Sequence, residues 1–170
     1  MAIETLQEKY LTELAHIHDS EHRFVAVQQE MLAQATDPTL KAGLEKHIDQ
    51  TQQQIENIHQ VYELLGVESE RQECGICSGL IANAQSGLKS GNKALRDCFI
   101  GGAATMVEHY EIGVYRGLIN GAQLMGQEQV AQLLRQNLQQ EEQTAQALES
   151  SEPMLLQTAK QQEAAAASSS

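Results

Sequence analysis

Acidic and imidazole side chains interrupt an otherwise apolar segment in the second half of the chain. Glu108, His109 and Glu111 lie within residues 98–119, which are apolar on nearly every face of a helix. Burying a carboxylate in a helical core costs several kcal/mol unless the group is paired or bound to a cation. The segment therefore predicts a polar site, and a candidate cation site, inside a helical protein.

Three other predicted helices also place acidic or imidazole side chains on their apolar faces. Glu21 follows Ile17 by one turn on the first helix, while His47 and Glu141 lie in the apolar rows of the second and last helices. Glu21 could instead lie at the stripe edge, and His47 could simply bond a neighbouring carboxylate. Carboxylates combined with a few imidazoles suit Fe²⁺ or Mn²⁺ in a helical bundle. The predicted metal ligands are Glu21, His47, Glu108, His109, Glu111 and Glu141.

The elements that must position these ligands are helices with apolar residues at three- and four-residue spacing. The spacing predicts helices over 3–35, 38–65, 74–89, 93–125 and 127–149. Four long helices with a short third helix in the middle connection predict an all-α four-helix bundle.

The predicted domain organisation is one bundle over 1–150 followed by a short tail. Glu152 and Pro153 are expected to stop the fifth helix, because proline removes a backbone donor and crowds the preceding turn. Residues 151–170 end in a low-complexity run of alanine and serine, which predicts a largely disordered tail.

Composition narrows the classes of function. A net charge of −12 over 170 residues argues against nucleic-acid binding, which depends on Lys and Arg, and against anionic membrane surfaces. No apolar run reaches the ~18 residues of a membrane span. Three cysteines cannot form a paired disulfide framework, and the N-terminus shows no secretory pattern. We therefore expect a cytoplasmic protein.

Several motifs resemble those of one known family. The run 107–112 followed by Tyr115 looks like the fourth-helix signature of the YciE/YciF-type ferritin-like proteins, and 47–51 resembles their second helix. The similarity covers roughly residues 11–148. The resemblance implies a ferritin-like four-helix bundle, often a homodimer, associated with bacterial stress and expected to hold a pair of metal ions.

Departures from the family pattern leave two functions open. Gln50 and Gln140 stand where the family usually has glutamate, and a neutral amide bridges two divalent ions poorly. The first function is a di-iron or di-manganese carboxylate site that handles oxygen or peroxide. The alternative is a metal-free structural or interaction module, a homodimer in which the glutamines hydrogen-bond buried acids.

Two smaller groups of residues have other candidate roles. Cys74 and Cys77 form a Cys-x-x-Cys pair that could have a redox role. The pair is only half of a zinc site, which no second pair completes, and Cys77 is most simply a small core residue. Four histidines at helical spacing could bind metal adventitiously, but we expect a solvated surface there. They are His16, His18, His22 and His59.

Overall fold

The computed structural model describes residues 3–168, and it confirms the predicted all-α class. The helices found in this part of the chain are α1 Leu6–Gln34, α2 Pro38–Leu65, α3 Gly75–Gly87, α4 Lys93–Leu124 and α5 Glu128–Ala167. None of these helices combines the length and the apolar character that crossing a membrane requires.

The link between α1 and α2 is fixed by local capping and by one acid from α4. Asp37 caps α2 by accepting from the backbone N–H of Leu40, and Pro38 occupies the first helical turn. The carboxylate of Asp97 accepts hydrogen bonds from the backbone and hydroxyl of Thr36 at 2.8 and 2.6 Å. The α1–α2 turn is therefore tied to the start of α4.

The four long helices close a ring. α1 packs against α2, α2 against α5, α5 against α4, and α4 returns to α1, while α3 lies outside against α4 and α1. This is the four-helix bundle predicted from the spacing of apolar residues.

The bundle core divides into two apolar clusters with a polar layer between them. On α1, Glu21 falls between Ile17 of one cluster and Phe24 of the other. On α4, residues 108–111 fall between Val107 and Tyr115 in the same way. The same order holds for the buried polar residues of α2 and α5, so the polar layer crosses the bundle at a single level.

The predicted end of the last helix at Pro153 is wrong. α5 continues through Pro153 to Ala167, and the proline is exposed, so the carbonyl that loses its partner can face water. Leu155 and Ala159 are buried, and Leu155 lies where a side chain at Gly101 would have to fit. Packing on α4 therefore offsets the cost of the proline.

This longer helix also changes the predicted tail. The boundary placed after residue 150 falls inside α5, and residues 151–167 are helical rather than disordered. The disorder predicted for the last two serines lies outside the described residues.

The cysteines in the described chain are free thiols. Cys77 is fully buried in an apolar cluster, which confirms its prediction as a small core residue. Burial raises the pKa of the Cys77 thiol, so this side chain stays protonated and packs as an apolar group.

Candidate metal centre

Acid and imidazole side chains from three helices meet in the polar layer. His47 of α2, Glu108 and Glu111 of α4, and Glu141 of α5 each place one ligand atom within 4.8 Å of the others. All four residues are buried, with at most 3% of their surface exposed. Glu21 of α1 is also fully buried and interacts electrostatically with Glu141 and Glu111. The bundle therefore brings five of the six predicted ligands together.

His109 is the predicted ligand that the structure directs elsewhere. Its ring is exposed, and its Nε2 lies 2.7 Å from a carboxylate oxygen of Glu149 on α5. The reason is helical geometry, since His109 lies about 100° from Glu108 and about 160° from Glu111 around the axis. A helix that buries Glu108 and Glu111 on one face cannot also bury His109, so we leave His109 out of the candidate centre.

The His47 ring is oriented toward the acids. Its Nε2 lies 3.1 Å from Oε1 of Glu108 and 3.9 Å from Oε2 of Glu141, without hydrogen-bond geometry to a partner in residues 3–168. On the other side of the ring, Nδ1 lies 3.3 Å from the hydroxyl of Thr144. Histidines that bind metals commonly use one nitrogen for the ion and bond the other to a neighbouring group.

The acids in this layer lack partners for several oxygens. Within residues 3–168, neither oxygen of Glu111 has a hydrogen-bond partner, and Glu21, Glu108 and Glu141 each have one oxygen without a partner. No ion pair in the same part of the chain joins a lysine or arginine to any of these acids. A buried acceptor without a partner costs about 1–3 kcal/mol, and more when charged. The layer is therefore suited to a cation.

Burial changes the ionisation of these acids. It raises the pKa of Glu21 to about 8 and that of Glu108 to about 7, and repulsion from Glu141 adds to the shift at Glu21. The pKa values of Glu111 and Glu141 are also raised well above the ordinary range, mainly by burial. Without a cation, the cluster holds protons at neutral pH. A bound cation would displace them, because carboxylate ligands must be ionised.

Amide and phenol groups orient the acids from outside the cluster. Gln54 donates a hydrogen bond to Oε1 of Glu141, and the hydroxyl of Tyr115 donates to Oε1 of Glu21. Asn137 in turn donates to the hydroxyl oxygen of Tyr115 at 3.0 Å. Each of these carboxylates is thus fixed through one oxygen, while the other oxygen remains available.

Sequence reasoning missed Gln54 and Asn137, although their spacing carries a signal. Gln54 follows His47 by seven residues and Asn137 precedes Glu141 by four, so each shares a helix face with a candidate ligand.

Gln50 and Gln140, which stand where the family usually has glutamate, lie at the margin of the polar layer. Gln50 is half-buried and accepts from Thr144 at 3.5 Å. Within the described chain, Gln140 is also half-buried and its amide oxygen has no partner.

A cavity of about 330 Å³ leads to one side of the cluster. Its walls are mostly apolar side chains from all four long helices, and His47 and Glu108 are among the residues that line it. The cavity gives small molecules a route to two of the candidate ligands.

Comparison with known proteins places this arrangement in a family. Residues 5–167 match the family described as a domain of unknown function, DUF892. The chain belongs to the DUF892 family. The family resemblance predicted from the motifs of α2 and α4 is thereby confirmed.

Known proteins share both sequence and fold with this chain. Protein YciF of Escherichia coli K12 is 29% identical over 146 residues, which cover 85% of this chain and 88% of YciF. The structure of the E. coli stress protein YciF superposes with a TM-score of 0.87 at 26% identity, covering 91% of this chain and 99% of that one. YcfI of Rhodopseudomonas palustris, whose description suggests a structural protein, superposes with a TM-score of 0.84 at 32% identity. The match covers 86% of this chain and 94% of YcfI.

Proposed function

We propose that this protein binds iron or manganese in the polar layer of its bundle and handles oxygen or peroxide during stress. The observation that carries the proposal is Glu111, a fully buried acid whose two oxygens both lack a hydrogen-bond donor in residues 3–168 when the neighbouring acids are ionised. A native core retains such a group only at a free-energy cost. Metal ligation removes that cost, because the cation supplies the missing partner.

The proposed ligands are His47, Glu108, Glu111 and Glu141, with Glu21 adding its free oxygen from the first helix. Carboxylate oxygens with one imidazole form the kind of ligand set that suits Fe²⁺ or Mn²⁺. When bound, either metal supplies open coordination positions and electrons for reaction with oxygen or peroxide.

The protein's own side chains would admit the oxidant, position the ligands and move protons. The apolar cavity would admit a small oxidant and exclude bulk water from His47 and Glu108. Gln54 and Tyr115 would hold Glu141 and Glu21 in position through one oxygen each. Carboxyl groups with raised pKa values would take up or release protons close to neutral pH.

The biological setting is proposed by similarity. The E. coli relative is described as a stress protein, and we propose the same class of role here. Free cysteines fit a reducing compartment such as the cytoplasm. A homodimer stays a prediction of the family resemblance.

A metal-free structural module is the second candidate, and one feature of the site favours it. Glu108 and Glu141 lie close enough to share a hydrogen bond, and so do Glu21 and Glu111, provided that one carboxyl of each pair is protonated. The raised pKa values permit this protonation near neutral pH. In this case the layer would be a proton-sharing polar core.

Metal retention by the full chain distinguishes the two candidates. We expect protein dialysed against Fe²⁺ without oxygen, or against Mn²⁺, to retain on the order of two ions per chain, as in two-metal bundle sites. Glu111→Gln should lose most of this metal, while Glu149→Gln, at an exposed carboxylate, should retain it. Equal metal content in Glu111→Gln and wild type would contradict the proposal.

A further inference from the structure

A second group of candidate ligands lies outside the carboxylate layer. His18 and His22 are one turn apart on α1, His59 lies on α2, and one ring nitrogen from each falls within 4.8 Å of the others. The sequence predicted a solvated surface for these histidines. That prediction is wrong for His18, which is only 3% exposed, whereas His22 and His59 are half-buried.

The protonation of His18 is fixed by its partner. Its Nδ1 lies 2.8 Å from the backbone carbonyl oxygen of Glu70. A carbonyl oxygen only accepts hydrogen bonds, so Nδ1 carries the proton and Nε2 of the neutral ring presents a lone pair. That lone pair faces the cluster, where Nε2 of His59 lies 3.1 Å away. An N–H bonded to a backbone carbonyl is a common way to orient a histidine that binds a metal.

The connection between α2 and α3 supports this orientation. The Tyr62 hydroxyl also donates to the carbonyl of Glu70, at 2.9 Å, and the backbone N–H of Gln72 donates to Ala15 of α1 at 3.1 Å. The carbonyl that sets the His18 ring is therefore held by contacts to both α1 and α2.

The ring geometry matches a shared ion. Two nitrogens bound to one tetrahedral zinc at about 2.0–2.1 Å are roughly 3.3 Å apart, close to the 3.1 Å between His18 and His59. The centroid of the His22 ring lies 5.1 Å from that of His18. A direct N–H···N bond would account for His18 and His59 but would leave His22 without a role. An ion would account for all three rings.

The surrounding charges are nearly balanced. Arg71 lies close enough to disfavour the protonated form of His18 and His22, but Asp19 faces the same region and pairs with Arg71 at 3.0 Å. Burial is the largest cause that lowers the pKa of His18 and of His22, so both rings are neutral at pH 7. Only neutral imidazole binds a metal ion.

We propose that His18, His22 and His59 bind one divalent transition-metal ion, of which Zn²⁺ is the representative, at a site separate from the carboxylate centre. Nitrogen ligands alone favour zinc, copper or nickel, whereas oxygen-rich sets favour magnesium, calcium or manganese. The ion would join α1 to α2 and, through the carbonyl of Glu70, fix the connection that follows α2. Three ligands leave one tetrahedral position for water.

Zinc binding by the untagged full chain tests this site. We expect wild type to bind one more Zn²⁺ per chain at pH 7 than the double variant His22→Gln with His59→Gln, measured by equilibrium dialysis and elemental analysis. Both replaced side chains are half-buried, which keeps the folding risk low. The matched control is His16→Gln, since His16 is half-buried on α1 and outside the cluster. This control should bind zinc as wild type does.

Two further measurements separate this site from the carboxylate centre. Glu111→Gln should keep the histidine-dependent zinc, so the two metal proposals can fail independently. Co²⁺ should give the visible absorption of a tetrahedral complex in wild type and in Glu111→Gln, and lose it in the double variant and in the single variant His59→Gln. Equal zinc content and equal Co²⁺ spectra in wild type and the double variant would overturn the proposal.

Discussion

Gln54 of α2 donates a hydrogen bond to Glu141 of α5, and both side chains are fully buried. The second oxygen of Glu141 lies 3.9 Å from Nε2 of His47, which is also on α2. A single helix thus fixes one side of an acid with a neutral amide and presents an imidazole to the other. This arrangement leaves the acid oriented but only partly satisfied.

Removing this amide should destabilise the protein. Gln54→Leu keeps much of the volume but leaves another oxygen of Glu141 without a donor, so we expect the free energy of unfolding to fall by about 1–3 kcal/mol. Urea denaturation of chelated protein measures the change. Gln52→Leu, at an exposed position two residues away, should change stability by only about 0.5 kcal/mol or less. A loss no larger than in this control would show that the hydrogen bond adds little.

The metal-free protein should become less stable as the pH rises through neutrality. Glu21 and Glu108 have pKa values of about 8 and about 7 in the folded chain, against an ordinary value of 4.5. The folded state therefore binds more protons than the unfolded state, and stability falls with rising pH from about 4.5 to 8. The lowered pKa values of His18 and His22 act in the opposite direction, but only below about 6.5.

The diagnostic window for these acids is therefore pH 6.5 to 8. Melting temperatures in the presence of a chelator should fall across this window, and Glu111→Gln should flatten the slope because one coupled acid is removed. A melting temperature that rises with pH across the same window would show that the acids are ionised without metal.

Loaded metal should raise the melting temperature. A ligand that binds only the folded state stabilises it by about 2.7 kcal/mol at a concentration of 100 times Kd. For a chain of this size, each kcal/mol shifts the melting temperature by roughly 2–4 °C. Chelation should therefore lower the melting temperature of Fe²⁺- or Mn²⁺-loaded protein by several degrees. The melting temperature of Glu111→Gln should change little on chelation. A wild type whose melting temperature is equally insensitive to chelation would favour the metal-free structural module.

The last turns of α5 should contribute to stability despite Pro153. Leu155 is 5% exposed and packs against Gly101, so Leu155→Ala should cost about 2–5 kcal/mol of the free energy of unfolding. Leu156→Ala, next in sequence but 53% exposed, is the matched control and should cost far less. Equal effects in the two variants would mean that this segment does not pack on α4 in solution.

The sequence predicted the helices well where apolar spacing and caps agree. α2 has the predicted bounds Pro38–Leu65, because Asp37, Pro38 and Gly66 mark both ends locally. The end of α5 failed for the opposite reason. Pro153 is a strong local stop signal, and the packing of Leu155 against α4 that overrides it is a tertiary contact. Local signals cannot show such a contact.

The candidate site was predictable in outline but not in its surroundings. Acids placed in apolar stripes identified Glu21, Glu108, Glu111 and Glu141, since helical spacing decides which face is buried. The same rule, applied to His109, would have excluded it. Gln54 was overlooked because glutamine is common on solvent faces of this chain, and only the α2–α5 packing shows that this one meets an acid.

Elemental analysis of untagged protein most directly tests whether the polar layer holds a metal centre. Iron, manganese and zinc per chain should be measured in wild type as purified and after anaerobic reconstitution, beside Glu111→Gln. We expect iron or manganese in the wild type and its loss in the variant. Neither metal in the wild type, even after reconstitution, would contradict a metal centre in the polar layer.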